Sequence, residues 1–204
     1  MPRAPKISRE KLLAVATEVL MHHGVRKTTL RDVATAAHVS HATVLYQFES
    51  KEALFAAVMD AEWLRLLGLV RRSVERPPTA EGKLRAFFQA RFRHIRRRAA
   101  EFGLPDESEI EHIDALMPLV HRTMERHRAD EVRLLREILE EGHRTGELSV
   151  AEPDVVAVAM IAALSGVDIA MVRYGRTCTS RRGREGLLRL LMDGLRRRGP
   201  EGER

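Results

Sequence analysis

The feature that most restricts the fold is a pair of short helical segments that follow a longer one near the start of the chain. Apolar residues recur at helical spacing over residues 8–24, and Gly24 is placed to end that first helix. Thr29 precedes a second run, residues 30–37, which is long enough for about two turns. Ser40 precedes a third short run. The pattern predicts two short helices that flank a tight turn and are braced by a longer helix.

The third of these segments has an unusual set of exposed positions. They are hydrogen-bonding or small residues without a single carboxylate, namely His41, Ala42, Thr43, Tyr46 and Gln47. Such side chains suit the base edges of DNA, and a helix that follows a tight turn is the geometry that sets a recognition helix into the major groove. A three-helix cluster with no DNA-binding role is the alternative, and the composition of the third helix favours DNA.

Helix ends in this region are predicted to be held by nearby polar side chains. Thr29 and Asp32 have the spacing of a capping box, and Ser40 and Ser50 precede the third and fourth helices as N-caps. Lys51 stands at the first position of the fourth helix, where its charge opposes the helix dipole. We therefore expect an anion near Lys51, and a DNA phosphate would serve.

The composition of the whole chain favours a helical protein with a core. Hydrophobic residues make up 44% of the 204 residues and charged residues 31%, whereas aromatic residues make up 4% and strand-type clusters are missing. A net charge of +6 favours a polyanionic partner, and solubility alone is the alternative.

The location is expected to be cytoplasmic and reducing. The one cysteine, Cys178, allows no internal disulfide, and the N-terminal residues do not form an export signal. The apolar stretch 155–172 contains Asp168 and many alanines, so we interpret it as a buried helix and not as a membrane span.

Taken together, the first part of the chain resembles the N-terminal signature of the TetR family of transcriptional regulators, with no insertion needed. The matching residues are Leu12, Leu13, Ala16, Val19, Leu20, Gly24, Thr28, Thr29, Val33, Ala34, Ala37, Val39, Ser40, Thr43, Phe48 and residues 51–54. The resemblance implies an all-α fold. A three-helix helix-turn-helix domain over residues 1–52, with its motif at 29–48, would precede a larger helical domain for effector binding and dimerisation over residues 53–204.

The resemblance also implies which positions contact DNA. Phosphates are expected to be contacted mainly by Thr28, Thr29, Ser40 and Lys51, and base edges by His41, Ala42, Thr43, Tyr46 and Gln47. For Thr28, Thr29 and Ser40 the alternative is capping alone, and for Tyr46 it is packing.

The chain departs from the family pattern at a few positions. His38 stands where the family usually has glycine in the turn, and histidine tolerates the left-handed backbone there. Ala42 also replaces a usual glycine, and its methyl group can contact a thymine. Leu45 replaces a frequent tyrosine, which removes a phosphate-binding hydroxyl and predicts weaker DNA binding or an altered register.

Longer helices are predicted for the rest of the chain. One, over residues 80–100, has a basic face formed by Arg91, Arg93, Arg96, Arg97 and Arg98. We interpret this face as solvated, and long-range attraction to DNA is the alternative. A short acidic helix, 106–115, is expected to end before Pro118, where a long helix begins.

The last two helices, predicted over residues 153–174 and 184–197, are expected to form the dimer. The first is almost wholly apolar and rich in small residues, so it needs cover on more than one side. In the family these helices pair with their counterparts in a second subunit. A two-fold homodimer would present two recognition helices to a roughly palindromic DNA operator.

The resemblance places a small-molecule effector cavity among the C-terminal helices, with core packing as the alternative role for each candidate. The candidate lining residues are Trp63, Phe87, Phe88, Phe92, Met117, His121, Met124, Met160 and Met171. The spacing of histidines, cysteine and carboxylates is not that of a metal site, and no catalytic motif is seen. We therefore expect no metal, no cofactor and no enzymatic activity.

The sequence thus predicts a homodimeric DNA-binding regulator, and the resemblance implies a repressor that its effector releases from DNA. Effector binding would favour a dimer whose recognition helices are spaced differently. The alternatives are an activator of the same architecture, a DNA binder without an effector, and a helical ligand-binding or enzymatic domain with no specific DNA binding.

Overall fold

The computed structural model describes residues 7–102, 107–174 and 181–196, and over these ranges the chain is mainly helical. In chain order the helices are α1 Arg9–Lys27, α2 Leu30–Ala36, α3 His41–Phe48, α4 Lys51–Val74, α5 Ala80–Phe102, α6 Glu107–Thr145, α7 Pro153–Tyr174 and α8 Arg181–Leu195. Within these ranges the one β-type contact is an isolated antiparallel bridge between Leu148 and Arg196. The predicted all-α class is confirmed.

The chain forms two compact units, each defined by residues that contact one another in space. The first comprises the chain up to Leu64 together with residues 100–126. The second comprises residues 65–99 and the chain from His127 onward. The domain boundary expected after residue 52 stays a prediction.

A small apolar core organises the helices at the start of the first unit. Its buried members include Leu12 and Ala16 of α1, Val33 of α2, and Val44 and Phe48 of α3. α2 packs against both α1 and α3. Because the apolar residues of each helix recur every three or four positions, burying them turns the opposite face of the helix to solvent.

The regular part of α1 ends at Gly24, as predicted, because Gly24 takes a positive φ of 74° and a non-helical backbone. After this kink the chain adds a further short helical turn, so that α1 as a whole extends to Lys27. The turn after the kink persists because Val25 is buried and because Thr28 donates twice to the carbonyl oxygen of Gly24. Its backbone N–H lies 3.2 Å from that oxygen and its hydroxyl 2.7 Å.

The second unit has a larger core to which every helix in it contributes. Its buried residues include Val70, Leu84, Phe87, Phe88, Leu135, Leu139, Ile161, Leu164 and Met192. Gly142 marks a close approach in this unit, because a Cβ there would lie 2.6 Å from Cγ of Leu148 and 2.8 Å from Cβ of Ala80. Only a glycine fits without a shift of its neighbours.

α6 is a single helix with Pro118 in its interior, so the predicted break before Pro118 is wrong. The predicted short acidic helix is the first part of this same element, which begins at Glu107. A proline removes one backbone donor and crowds the preceding turn, but a long helix can continue through it.

α7 carries an apolar stripe on each of two sides. The stripe buried within the second unit consists of Ala157, Met160, Ile161 and Leu164. The exposed stripe is also apolar and consists of Val155, Val158, Ala159, Ala162 and Ala163. On α8, Leu188 and Met192 are buried while Leu190 is exposed. A single chain therefore leaves an apolar surface of its last two helices in water.

Candidate nucleic-acid interface

α2 begins at a capping box. The backbone N–H and the hydroxyl of Thr29 each donate to Oδ2 of Asp32 at 2.8 Å, and the backbone N–H of Asp32 donates to Oγ1 of Thr29 at 3.2 Å. The side-chain and backbone hydrogen bonds from Thr29 hold the pKa of Asp32 below its usual value. The predicted capping box is confirmed, and Thr29 remains exposed beside it.

The turn between α2 and α3 contains a residue with a left-handed backbone. His38 has a φ of 53°, a region that glycine usually occupies, and the predicted tolerance of histidine there is confirmed. The backbone N–H of His38 donates to the carbonyl of Thr35 at 3.1 Å, and that of Val39 donates to the carbonyl of Ala34 at 3.0 Å. These hydrogen bonds close the turn and fix where α3 starts.

Ser40 caps α3, as predicted. Its Oγ accepts a hydrogen bond from the backbone N–H of Thr43 at 3.1 Å, and the two hydroxyl oxygens lie 2.8 Å apart. Val44 and Phe48 face the core. The cap at one end and the two buried side chains together determine which side of α3 faces solvent.

The outer face of α3 presents Ala42, Leu45 and Tyr46 to solvent. Tyr46 is the extreme case, since 91% of its surface is exposed. His41 and Thr43 are half-buried. A tyrosine this exposed contributes nothing to the core, so its ring and hydroxyl are available to a partner.

Gln47 is turned toward the start of α1. Its Nε2 donates to the carbonyl oxygen of Ile7 at 3.4 Å. Arg9 reaches the same end of α3, because its Nη1 donates to the carbonyl oxygen of Gln47 at 2.6 Å and its guanidinium carbon lies 4.4 Å from the centre of the Phe48 ring. Sequence reasoning missed this contact, since the two residues are 38 positions apart and no local pattern signals it.

Thr28 and Lys51, both expected at phosphates, make hydrogen bonds inside the unit. Thr28 is only 1% exposed and its hydroxyl donates to Gly24. Lys51 is half-buried, and its Nζ donates to the carbonyl oxygen of Arg26 at 2.7 Å. Burial, with a smaller contribution from Arg26, lowers the pKa of Lys51. An ammonium has three donors, so the bond to Arg26 leaves others for an anion.

The candidate effector residues do not form one group. Those buried in the second unit are Phe87, Phe88, Phe92 and Met160, and the rings of Phe88 and Phe92 are stacked with centres 6.4 Å apart. In the first unit Trp63 is buried and His121 is exposed. The side chains outside the described residues are those of Met117, Met124 and Met171.

Arg91 forms a buried ion pair in the second unit, so its interpretation as part of a solvated basic face is wrong. Arg91 is 0% exposed and Glu131 2%, and Nη1 of Arg91 donates to both carboxylate oxygens, with Oε2 at 2.6 Å. A signal for this position exists. Arg91 follows Phe87 by four residues and Phe88 by three, which places it on the apolar stripe of α5.

The described ranges show neither a cluster of metal ligands nor a helix that could cross a membrane. They contain no group of three or more histidine, cysteine, aspartate and glutamate side chains able to hold a metal ion. No helix in these ranges is both long enough and apolar enough to cross a membrane.

Comparison with known proteins identifies relatives of the first part of the chain. Residues 12–58 match the family model for bacterial regulatory proteins of the tetR family. A segment of 102 residues is 28% identical to the HTH-type transcriptional repressor KstR2 of Mycolicibacterium smegmatis and covers 49% of this chain and 49% of that protein. The match therefore spans about half the length of this curated relative.

Solved structures extend the likeness of fold over nearly the whole chain. A transcriptional regulator from Cytophaga hutchinsonii has a TM-score of 0.69 at 19% identity, covering 92% of this chain and 98% of that one. The regulator FadR from Bacillus subtilis, solved in complex with stearoyl-CoA, has a TM-score of 0.63 at 16% identity, covering 92% of this chain and 99% of that one. At these identities the likeness concerns the fold alone.

Proposed function

Because this chain belongs to the TetR family of bacterial regulatory proteins, we propose that it is a DNA-binding transcriptional regulator that acts as a repressor. One observation carries the proposal. α3 follows a capped tight turn, buries Val44 and Phe48, and holds Tyr46 out in solvent. A short helix held in this way is suited to enter the major groove. We further propose that the protein acts in the cytoplasm and is not an enzyme.

The DNA contacts are assigned from the exposure of each side chain. Base edges are contacted by α3, through the exposed Ala42 and Tyr46 and the half-buried His41 and Thr43. Phosphates are contacted by Thr29, Ser40 and Lys51. Thr28, which is buried, supports the end of α1 instead, and Gln47 hydrogen-bonds the carbonyl oxygen of Ile7.

An operator-binding experiment tests the DNA-binding proposal. The purified protein is titrated against duplex DNA from upstream of its own gene and against a scrambled duplex of equal length. We expect preferential binding to the upstream duplex, and Tyr46→Ala should weaken it about tenfold, in line with roughly 1–3 kcal/mol for a lost base contact. Leu69→Ala, which removes an exposed apolar side chain of the second unit, is the control and should change nothing.

Equal affinity for both duplexes would instead favour the alternative, a helical ligand-binding or enzymatic domain whose basic charge serves solubility. A weaker but still selective complex of the Tyr46→Ala variant at unchanged melting temperature would support the assignment of α3 to the base edges.

Homodimer formation through α7 and α8 is the second part of the proposal. The exposed stripe of α7 and Leu190 of α8 together form an apolar surface that a second copy would cover. A two-fold dimer would offer two α3 helices to a roughly palindromic operator. Val158→Lys places a charge in the stripe and should give monomers in sedimentation equilibrium, whereas Thr35→Lys on exposed α2 should not. A Val158→Lys variant that remains dimeric would count against this surface.

A small-molecule effector is the third part. We propose that the core of the second unit holds it, with Phe88, Phe92 and Met160 as the first candidates for contact. The side chains of Trp63, Met117, His121 and Met124 remain candidates from the sequence. The stearoyl-CoA bound to FadR of Bacillus subtilis supports a ligand-responsive role at the level of the fold. A ligand from a thermal-shift panel should raise the melting temperature and also release operator DNA. The release is expected because a ligand that favours the conformation with low affinity for DNA must weaken operator binding.

A further inference from the structure

The last turn of α3 is fastened to the start of α1 by contacts that run in both directions. Arg9 of α1 donates through Nη1 to the carbonyl oxygen of Gln47 at 2.6 Å, and Gln47 of α3 donates through Nε2 to the carbonyl oxygen of Ile7 at 3.4 Å. The guanidinium of Arg9 also lies over the Phe48 ring, 4.4 Å from its centre. We name these four residues, Ile7, Arg9, Gln47 and Phe48, the α1–α3 clamp.

The clamp supplies what the end of a short helix lacks. The last carbonyl groups of a helix have no partner within it, and the negative end of the helix dipole favours a cation there. Arg9 meets both requirements at Gln47, and the face of the Phe48 ring adds a cation–π contact. Phe48 is itself buried, so the guanidinium rests on a side chain that is packed in the core.

The clamp acts at the end of α3 that lies far from its N-terminal cap, where the burial of Phe48 and the hydrogen bond from the backbone N–H of Glu49 to the carbonyl oxygen of Leu45 also support the helix. α3 has eight residues, and its hydrogen-bonding cap, Ser40, acts on the first turn. Tyr46, the most exposed residue of its outer face, stands in the last turn, directly before Gln47. Hydrogen bonds to base edges tolerate displacements of only a few tenths of an ångström before they weaken. The position of Tyr46 therefore depends on how firmly the last turn is held.

We propose that Arg9 and Gln47 are positioning residues for sequence recognition, which act through α3 and do not contact DNA. The inference rests on the proposed function, because it concerns how the same helix reads the operator. It assigns Gln47, whose position alone suggested a base contact, to the clamp. It also gives a role to Arg9, a residue that the charge pattern does not distinguish from any other basic side chain.

The dependence of binding on salt separates this role from a phosphate contact. A residue that neutralises a phosphate contributes about 0.9 to the slope of log affinity against log salt, for specific and scrambled DNA alike. A positioning residue contributes nothing to that slope and affects only the specific complex. Arg9→Met keeps an unbranched side chain but removes the charge and the donor. Lys11→Met removes the same charge from an exposed residue of the same helical turn and is the matched control.

The test measures the affinity of the full chain for operator and scrambled duplexes at several salt concentrations. For Arg9→Met we expect operator binding to weaken about tenfold while scrambled binding and both salt slopes stay at the wild-type values. Arg9→Lys keeps a cation over the ring and should recover most of the loss. Equal weakening on both duplexes with a shallower salt slope would show that Arg9 contacts a phosphate, which would overturn the proposal. Unchanged binding to both duplexes would overturn it as well.

Gln47→Ala provides a second route that leaves the charge of the protein unchanged. If both residues act through the clamp, the double variant should lose less than the product of the two single losses, because either change already frees the turn. Losses that multiply would mean that Gln47 contacts a base independently, which would overturn its assignment. This variant also keeps the proposal testable should Arg9→Met fail to fold.

Hydrogen exchange of the free protein gives a readout that does not involve DNA. Arg9→Met should speed exchange of the amides at the end of α3 about tenfold and leave those of α2 unchanged, whereas Lys11→Met should alter neither. Uniform acceleration throughout the first unit would indicate a general loss of stability and contradict a local role. Should the wild-type protein fail to prefer any operator, the proposed function fails while this measurement still decides whether the clamp holds α3.

Discussion

The two units of the molecule hold their helices in different ways. In the first, the helix starts are fixed by side chains only a few positions away, as in Ser8 with Lys11, Thr29 with Asp32, Ser40 with Thr43 and Ser50 with Ala53. In the second, several of the contacts between helices join residues that are far apart in the chain, as in Arg91 with Glu131, Lys83 with Glu141, Ala80 with Glu147 and Arg196 with Glu81. The first unit owes much of its detail to local chemistry, and the second owes more to tertiary packing.

This difference bears on how each unit performs its proposed task. A helix that reads DNA must present the same side chains at the same place each time, and short-range caps specify its start independently of the rest of the molecule. A unit that responds to a ligand must have alternative packings, and contacts between distant residues are the ones that such a change can break. Substitutions at the two kinds of contact test this contrast.

Breaking the buried ion pair should cost the most. Arg91→Met leaves the carboxylate of Glu131 without its ion-pair partner in the core, and such losses typically lower the free energy of unfolding by about 3–5 kcal/mol. Glu131→Leu should also lower the free energy of unfolding, because it removes the carboxylate that faces the buried guanidinium of Arg91. The double variant should be more stable than either single one, since no uncompensated charge is left. Denaturant melts of the four proteins check this, and a double variant with the summed loss would mean that the pair is not the relevant contact.

Adding a methyl group at Gly142 should have the next largest effect. The new Cβ would lie 2.8 Å from Cβ of Ala80 and 2.6 Å from Cγ of Leu148, and overpacking of this kind costs about 1–3 kcal/mol. Gly186→Ala is the matched control, because a Cβ there meets nothing within 4 Å. Similar melting temperatures for the two variants would show that the second unit is less tightly packed than its contacts indicate.

Removing the local cap of α2 should cost less than either change in the second unit. Thr29→Ala deletes the capping box, which is worth about 0.5–2 kcal/mol. Thr35→Ala, an exposed threonine at the other end of the same helix, should be nearly neutral. A loss from Thr29→Ala as large as that from Arg91→Met would break the contrast between local and long-range support.

The smallest effect concerns pH. Hydrogen bonds from Thr29 lower the pKa of Asp32 in the folded state, so its contribution to stability is fully present above the unfolded pKa of about 3.9 and is lost as the pH falls through the lower, folded value. Glu81 in the second unit behaves in the same sense, because hydrogen bonds from Arg85 and Arg196 lower its pKa. Asp32→Asn and Glu81→Gln should each flatten the fall in unfolding free energy below about pH 4 relative to wild type. A steeper fall in either variant would contradict the direction of the pKa shift assigned to that residue.

The same contrast explains which parts of the fold and site could be predicted from the sequence. The caps at Thr29, Ser40 and Ser50 and the turn at His38 depend on residues within a few positions, so their spacing in the sequence already contained the information. The break before Pro118 was wrong because a proline signals a local preference that the rest of a long helix can override. Glycine at position 24 correctly predicts where regular α1 ends, whereas the short turn that follows depends on the burial of Val25, which is a tertiary contact.

In both units, long-range contacts are the part of the structure that the sequence does not predict. The sequence predicts a solvated Arg91 because nothing local signals its partner, Glu131, which is 40 positions away. Gln47 likewise binds a carbonyl, at Ile7, that is equally remote in the chain, and its contact with base edges stays a prediction. In each case the residue type indicated a polar role, and only the three-dimensional structure identified the group that satisfies it.

Trp63 provides a fluorescence signal for the unfolding of the first unit. It is the single tryptophan of the chain and is buried in the first unit, so its fluorescence emission should shift to longer wavelength when that unit opens. Circular dichroism of a protein this helical reports on both units at once. Fluorescence and dichroism curves that coincide would indicate a single cooperative transition, and curves that separate would give each unit a melting temperature of its own.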